Sequence, residues 1–213
     1  MILATRTTLQ PLDKEWPGLL AERLGSSAPA SLQCVGPVAH LATHKIALFC
    51  SAQTPGAAIL RALDAARGFR DKGITVISGF HSPIEKECLS ILLRGKQPII
   101  VCPAREIETM RIPTECRPAF DQGRILFLSR FVGGPKRVTK ESATQRNELV
   151  AALADEVYFA HVAPGGEAER IAGRVGGWGD SCDFGSEMNE IHSHMSVVYS
   201  NPRLYQQLRS CQL

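Results

Sequence analysis

Gly73-Ile-Thr-Val-Ile-Ser-Gly-Phe-His-Ser-Pro-Ile-Glu-Lys-Glu-Cys-Leu-Ser-Ile-Leu-Leu93 holds the clearest structural pattern in the chain. A β-branched run, Ile74 to Ile77, stops at Ser78-Gly79. After Pro83 the apolar residues Ile84, Cys88, Ile91 and Leu92 fall on one helical face. An apolar strand, a small-residue turn and an amphipathic helix form the repeating unit of an open parallel sheet. In such sheets ligands meet the backbone at the carboxyl ends of the strands, where helix N-termini point. Ser78-Gly79 is therefore the first place to look for a function, against the plainer reading that Gly79 only permits a tight turn.

The same unit recurs on both sides. Lys45-Ile-Ala-Leu-Phe-Cys50 reads as a strand that ends in Ser51-Ala-Gln-Thr-Pro-Gly56, ahead of a helix from about Ala57 to Asp71. Gln97 to Cys102 reads as a strand, Pro113 to Gln122 as a short helix and Arg124 to Ser129 as a further strand. A loop, Phe131-Val-Gly-Gly-Pro-Lys-Arg-Val-Thr-Lys140, leads into a helix from about Ser142 to Ala154. Glu156 to Ala160 is a fifth strand, and Glu167 to Arg174 a short helix behind Pro164-Gly-Gly166. The expected architecture is α/β: a Rossmann-like, doubly wound, mostly parallel sheet with helices on both faces. Residues 1–40 read as an N-terminal extension with one short helix within Leu12 to Leu24 and a short extended piece at Leu32 to Val35, and 41–175 as the Rossmann-like domain. Residues 176–213 read as a glycine-rich loop with a closing strand, Met195 to Tyr199, and a helix that complete the same domain.

Composition narrows the class. The chain has 213 residues, 44% hydrophobic, enough for one α/β domain with appendages. Its net charge of +3 implies no partner by itself. No apolar run approaches the roughly 18 residues of a membrane span, and Met1 to Trp16 has neither a signal core nor an Arg-rich amphipathic pattern. The seven cysteines have no CxxC spacing and several sit in apolar runs. A cytoplasmic protein with reduced thiols is the expectation.

With these elements placed, the chain resembles the DNA-processing protein A family, part of the wider Rossmann-like group that includes lysine-decarboxylase-like and cytokinin-activating proteins. Pro11 to Gly36 is similar to the lead-in before the family's first strand, and Lys45 to Ser51 to its strand ending in Gly-Ser-Arg. Ser78-Gly-Phe-His-Ser-Pro-Ile-Glu85 is similar to its Ser-Gly-Leu-Ala-x-Gly-Ile-Asp signature. Arg146-Asn-Glu-Leu-Val-Ala-Ala-Leu-Ala154 is similar to its Arg-Asn-Arg-Ile-Ile-Ala-Gly-Leu-Ser segment. The resemblance implies a sheet whose strand ends bind single-stranded DNA and help deliver it to a RecA-type recombinase. It also implies a homodimer and no cofactor or metal. Departures stand beside it. Ala52 replaces the Arg after Ser51, Pro83 and Glu85 replace the signature's second Gly and its Asp, Leu89 stands where the family has a helix histidine, and Glu148 replaces an Arg. Pro164 to Arg170 stands in place of a Ser-Gly-Ser-Leu-x-Thr-Ala segment.

The residues carry chemistry of their own. Arg146 offers a fork of donors matched to phosphate, and Asn147 can bond backbone or base edges; the alternative is that Arg146 pairs with a carboxylate and Asn147 ties down a loop. Between Gly123 and Asn147 lie Arg124, Arg130, Lys136, Arg137, Lys140 and Arg146 against one acid, Glu141. Clustered cations beside a Gly133-Gly134 loop suit a phosphate chain, or make a solvated basic loop. Phe131 could stack on a base or pack inward. Gly165-Gly166 resembles a phosphate loop, yet Glu167 at the following helix start competes with a bound anion, which favours a structural turn. Cys182, Asp183, His192 and His194 fit no standard zinc spacing. His81 beside Ser82 has no acid partner at motif spacing, so a nucleophile–base pair is not expected.

The leading expectation is thus a cytoplasmic, non-enzymatic, single-stranded DNA-binding protein of DNA uptake and recombination. Ser51, Gln53, Ser78, Gly79, Lys136, Arg137, Arg146, Asn147, Gly165 and Gly166 would line its groove. The rival is a pocket at the same strand ends that binds or hydrolyses a nucleotide or nucleotide-derived ligand. A scaffold that only dimerises is the third reading.

Overall fold

The computed structural model describes residues 5–51 and 54–178 and the backbone of residues 196–199. Eight strands form one sheet: β1 (Arg6–Leu9), β2 (Leu32–Val35), β3 (Lys45–Phe49), β4 (Thr75–Ser78), β5 (Ile99–Val101), β6 (Ile125–Ser129), β7 (Glu156–Phe159) and β8 (Ser196–Tyr199). Their spatial order is β1-β2-β6-β5-β4-β3-β7-β8. The five inner strands, β6-β5-β4-β3-β7, are parallel, and the outer pairs are antiparallel. β3, β4, β5 and β6 are buried along their whole length, as strands covered on both faces must be. This is the expected α/β, Rossmann-like sheet.

Alternation along each strand sends neighbouring side chains to opposite cores. From β3, Ala47 and Phe49 enter one core with α1 (Leu19–Leu24), α5 (Lys140–Leu153) and α6 (Glu167–Gly176). Ile46, Leu48 and Cys50 enter the other with α2 (Gly56–Asp71), α3 (Pro83–Leu93) and α4 (Arg117–Asp121). Small residues let α2 and α3 pack closely: Ala62 and Ala66 lie in the core with Cys88, whose thiol donates to the Ala62 carbonyl at 3.6 Å. α2 ends where Gly73 takes a φ of 71°, the left-handed stop that its lack of Cβ allows.

Two differences from the sequence reading matter for the site. The segment 1–40, expected to lie ahead of the sheet, joins its edge: the extended piece Leu32–Val35 is β2, antiparallel to β6 with Gln33 opposite Ser129, and β1, which the sequence reading did not mark, pairs with β2. Arg6-Thr-Thr-Leu9 is too short and too polar for periodicity to mark it as a strand. The helix of this segment is also shorter than Leu12 to Leu24, because Pro17-Gly18 delays its start to Leu19. Arg23 of α1 then donates to the Ala152 and Ala154 carbonyls at 2.9 and 2.7 Å, satisfying the C-terminal end of α5. Of residues 176–213, only positions up to 178 and the β8 backbone are described, with β8 antiparallel to β7.

The chain steps outward from β3 through β4 and β5 to β6, then crosses back to lay β7 on the other side of β3. The direction of winding reverses between β3 and β7, so the crevice above their carboxyl ends is where such sheets place ligands.

Candidate nucleic-acid interface

At the end of β4, Ser78 is fully buried. Its hydroxyl donates to the Leu48 carbonyl at 2.8 Å and accepts from the Phe80 amide at 3.3 Å, so it stitches β4 to β3. Gly79 does not take the left-handed conformation; Phe80 does, with φ 46°. Gly79 is required for another reason: a Cβ there would fall inside the Arg146 guanidinium. The turn glycine of the sequence reading is thus a seat for an arginine from α5. Past the turn, Ser82 and Glu85 form a reciprocal capping box at the start of α3, with Pro83 in its first turn. The Glu85 carboxylate accepts from three backbone amides, Cys50 at 3.2 Å, His81 at 2.8 Å and Ser82 at 3.2 Å. A buried carboxylate of the chain itself occupies the place where a phosphate would sit at this helix start.

Arg146 is only 5% exposed. Its Nη1 donates to the Cys102 carbonyl at the end of β5 (3.1 Å), and its Nε to Asn147 Oδ1 (2.7 Å). Burial pushes its pKa down, while the nearby Glu85 charge pushes it back up. Burial also raises the Cys102 thiol, to about 12, so that group stays a neutral thiol. Asn147 Nδ2 continues to Glu167 Oε1 at 3.4 Å. Arg170 bridges Glu167 (2.8 Å) and Glu148 (2.8 Å), and Arg174 joins Glu148 at 2.6 Å. One polar chain therefore links the end of β5, α5 and α6. Burial works against the Glu167 charge, but the Arg170 and Asn147 hydrogen bonds outweigh it and the pKa falls.

The crevice between the β3 and β7 ends has a volume of about 300 Å³. Ser51, Asn147 and Gly166 line it together, as the sequence reading grouped them. Ser51 donates its hydroxyl to the His161 carbonyl at 3.1 Å, clasping the two strand ends. Glu85 and Glu167 also line the crevice, and among the described residues its lining contains no Lys or Arg. At the start of α6 the exposed Gly165 amide donates to Glu169 Oε2 at 2.7 Å. This second helix start is likewise occupied by a carboxylate of its own chain. Both observations oppose a nucleotide phosphate in this crevice. Gln53 lies outside the described residues, as do Ala52 and the Cys182, Asp183, His192 and His194 group.

The six cations between Gly123 and Asn147 separate into two sets. Arg124 donates to the Gln97 and Leu93 carbonyls at the opposite edge of the sheet. Arg130 holds the Gln145 and Ser27 carbonyls, and Arg146 is buried. Lys136, Arg137 and Lys140 are exposed, and none of them forms an ion pair among the described residues. Phe131 is buried beneath the loop, its amide donating to Ser129 Oγ at 3.1 Å, so it packs inward. The ten site residues of the sequence reading thus fall in distinct places: Ser51, Asn147 and Gly166 in the crevice with Gly165 at its rim, Ser78, Gly79 and Arg146 in a buried hub, and Lys136 and Arg137 on an exposed loop. Gln53 is the tenth.

A profile of the family described as DNA recombination-mediator protein A matches residues 7–163. The chain belongs to that family. No curated protein matches the sequence. Among solved structures, the fold is similar to DNA processing protein A from Streptococcus pneumoniae, at TM-score 0.63 and 19% identity over 79% of this chain and 60% of that one. It is also similar to DNA processing protein A from Helicobacter pylori, whose single-stranded DNA binding mode that structure addresses, at TM-score 0.62 and 19% identity over 89% of this chain and 88% of that one. The chain thus spans about three fifths of the length of the Streptococcus protein.

Several departures of this DNA recombination-mediator protein A family member have local compensation. Pro83 fits the first turn of α3, and Glu85 reaches the amides through the capping box. Leu89 is buried in the core beside Leu92. Glu148, where the motif has an Arg, faces Arg170 and Arg174, so the charge reversal at one position is matched on the neighbouring helix. Sequence reasoning took Glu85 for a departure only, although Ser82-Pro-Ile-Glu85 carries the Ser-x-x-Glu spacing of a capping box.

Proposed function

We propose that this protein binds single-stranded DNA across the carboxyl edge of its sheet and acts in DNA uptake and recombination, handing the strand to a RecA-type recombinase. The observation that carries the reading is the exposed loop from Val132 to Thr139 with its following residue Lys140. In a chain of this family it presents Lys136, Arg137 and Lys140 at the carboxyl edge of the sheet, where the helix starts after β4 and β7 have their own anion positions filled. Phosphates then meet side-chain cations, and the loop's Gly133-Gly134 lets the backbone follow them. Ser51, Gln53, Asn147, Gly165 and Gly166 would border the strand, while Ser78, Gly79 and Arg146 set the floor beneath it. Homodimerisation and a cytoplasmic location belong to the same reading. No helix among the described residues is long and apolar enough to cross a membrane.

Fluorescence anisotropy with labelled single- and double-stranded oligonucleotides checks it. Saturable binding that prefers the single strand and weakens as salt rises is the expected result. Absence of binding at low salt would remove the reading. A thermal-shift series with nucleotides tests the rival pocket, and a flat response is expected because Glu85 and Glu167 line the crevice.

A further inference from the structure

Two loops rise at the end of the sheet nearest its N-terminal edge, and they are joined. The loop after β5 runs from Cys102 towards Pro113, and that after β6 from Arg130 to Thr139. The Glu106 amide donates to the Pro135 carbonyl at 3.1 Å, and Ser129 Oγ donates to the Arg105 carbonyl at 2.7 Å. These bonds set Arg105 beside Lys136, each next in sequence to a bonded residue. The edge strands brace the assembly from outside. Gln33 Oε1 accepts from the Ile107 amide at 3.1 Å, and Arg6 donates to the Ile107 and Met110 carbonyls at 3.0 and 3.1 Å. Arg105 is half-buried, and its side chain makes no hydrogen bond or ion pair among the described residues. It contrasts with Arg6, Arg23, Arg124, Arg130 and Arg146, each of which holds backbone carbonyls.

We propose that Arg105 is a phosphate-contacting residue, and that the two stapled loops form one cationic rim of Arg105, Lys136 and Arg137 along which a single strand runs. The inference rests on the single-stranded DNA reading above and extends it to a loop that no sequence motif singled out. An arginine whose neighbours are fixed, and whose guanidinium has no partner among the described residues, is pre-organised for an anion from outside. The β1–β2 edge acquires a role here: through Gln33 and Arg6 it positions the outer loop. Glu106 and Glu108 share that loop, so the rim acts through where its guanidinium stands and not through a large net charge.

Each phosphate neutralised on a single strand adds about 0.7 to the slope of log affinity against log salt. Anisotropy titrations of the full chain with a labelled oligothymidine should therefore give a slope lower by about 0.7 for Arg105→Ala. Arg105→Lys should keep the wild-type slope, and Lys72→Ala, an exposed cation following α2, should leave it unchanged. Urea midpoints alongside verify that each variant is folded. A wild-type slope in Arg105→Ala while Lys136→Ala lowers it would overturn the rim but leave the functional reading standing. Equal losses in Arg105→Ala and Lys72→Ala would reduce the effect to overall charge and also overturn it. If the wild-type chain does not bind the oligonucleotide at about 50 mM salt, the functional reading fails and the rim with it.

Discussion

The β4–α3 turn and the β6–α5 loop stand at the same edge of one sheet and treat charge in opposite ways. At the turn, Glu85 takes three amides, Arg146 takes the Cys102 carbonyl, and Gly79 leaves room for the guanidinium. At the loop, Lys136 and Arg137 face solvent without an ion partner among the described residues. A buried charge must be paired within the protein, because leaving it unpaired costs several kcal/mol, on the order of 3–5. An exposed cation bears no such cost and remains open to an external phosphate. On the proposed function the turn would govern stability and the loop binding, and substitutions should separate the two.

The largest effect is expected at Gly79→Ala, which drives a methyl group into Arg146. Overpacking and the broken Cys102 bond together should lower stability by about 2–4 kcal/mol in urea unfolding. The double variant Gly79→Ala/Arg146→Ala should be less destabilised than the sum of the single changes, because removing the guanidinium clears the clash. Additive losses would break the link between the two residues. Glu85→Gln retains one acceptor oxygen but loses the charge, and should cost about 1–3 kcal/mol while the slope of DNA binding against salt stays at the wild-type value. Glu148→Gln removes one acid shared by Arg170 and Arg174. Both arginines are about a third exposed, so the loss should be roughly 1–2 kcal/mol rather than that of a fully buried pair. The smallest effect concerns acid. The Glu167 pKa is lowered from 4.5 in the folded chain, so its contribution is present above that value and fades as pH falls through the folded pKa. Glu167→Gln should flatten that part of the stability curve by less than about 1 kcal/mol, since the side chain is partly exposed.

The sheet was legible because its inner strands are buried on both faces and read as near-continuous β-branched or apolar runs, as in Ile74 to Ile77 and Ile125 to Leu128. The edge strand Arg6–Leu9 was not, because four residues partnered on one side leave no periodic signal. Within the crevice, Ser51 and Asn147 came from the ordered motifs, whereas Gly166 came from a Pro-Gly-Gly loop read as a structural turn. The burial of Arg146 followed from neither, since nothing local to Arg146-Asn147 states that Gly79, distant in sequence, vacates space for it. The six-cation cluster between Gly123 and Asn147 likewise divides only in three dimensions. Arg124 precedes β6 and falls at the far edge, whereas Lys136 and Arg137 follow it and reach the strand ends.

The measurement that tests this division most directly is the salt dependence of single-stranded DNA binding in Lys136→Ala/Arg137→Ala, taken with its urea midpoint. If both cations contact phosphates as proposed, removing them should lower the slope of log affinity against log salt by about 1.4. Stability should stay within about 0.5 kcal/mol of wild type, as for surface changes away from buried features. An unchanged slope, or a slope that falls in Glu85→Gln and not in the loop variant, would contradict the account and return the binding site to the turn.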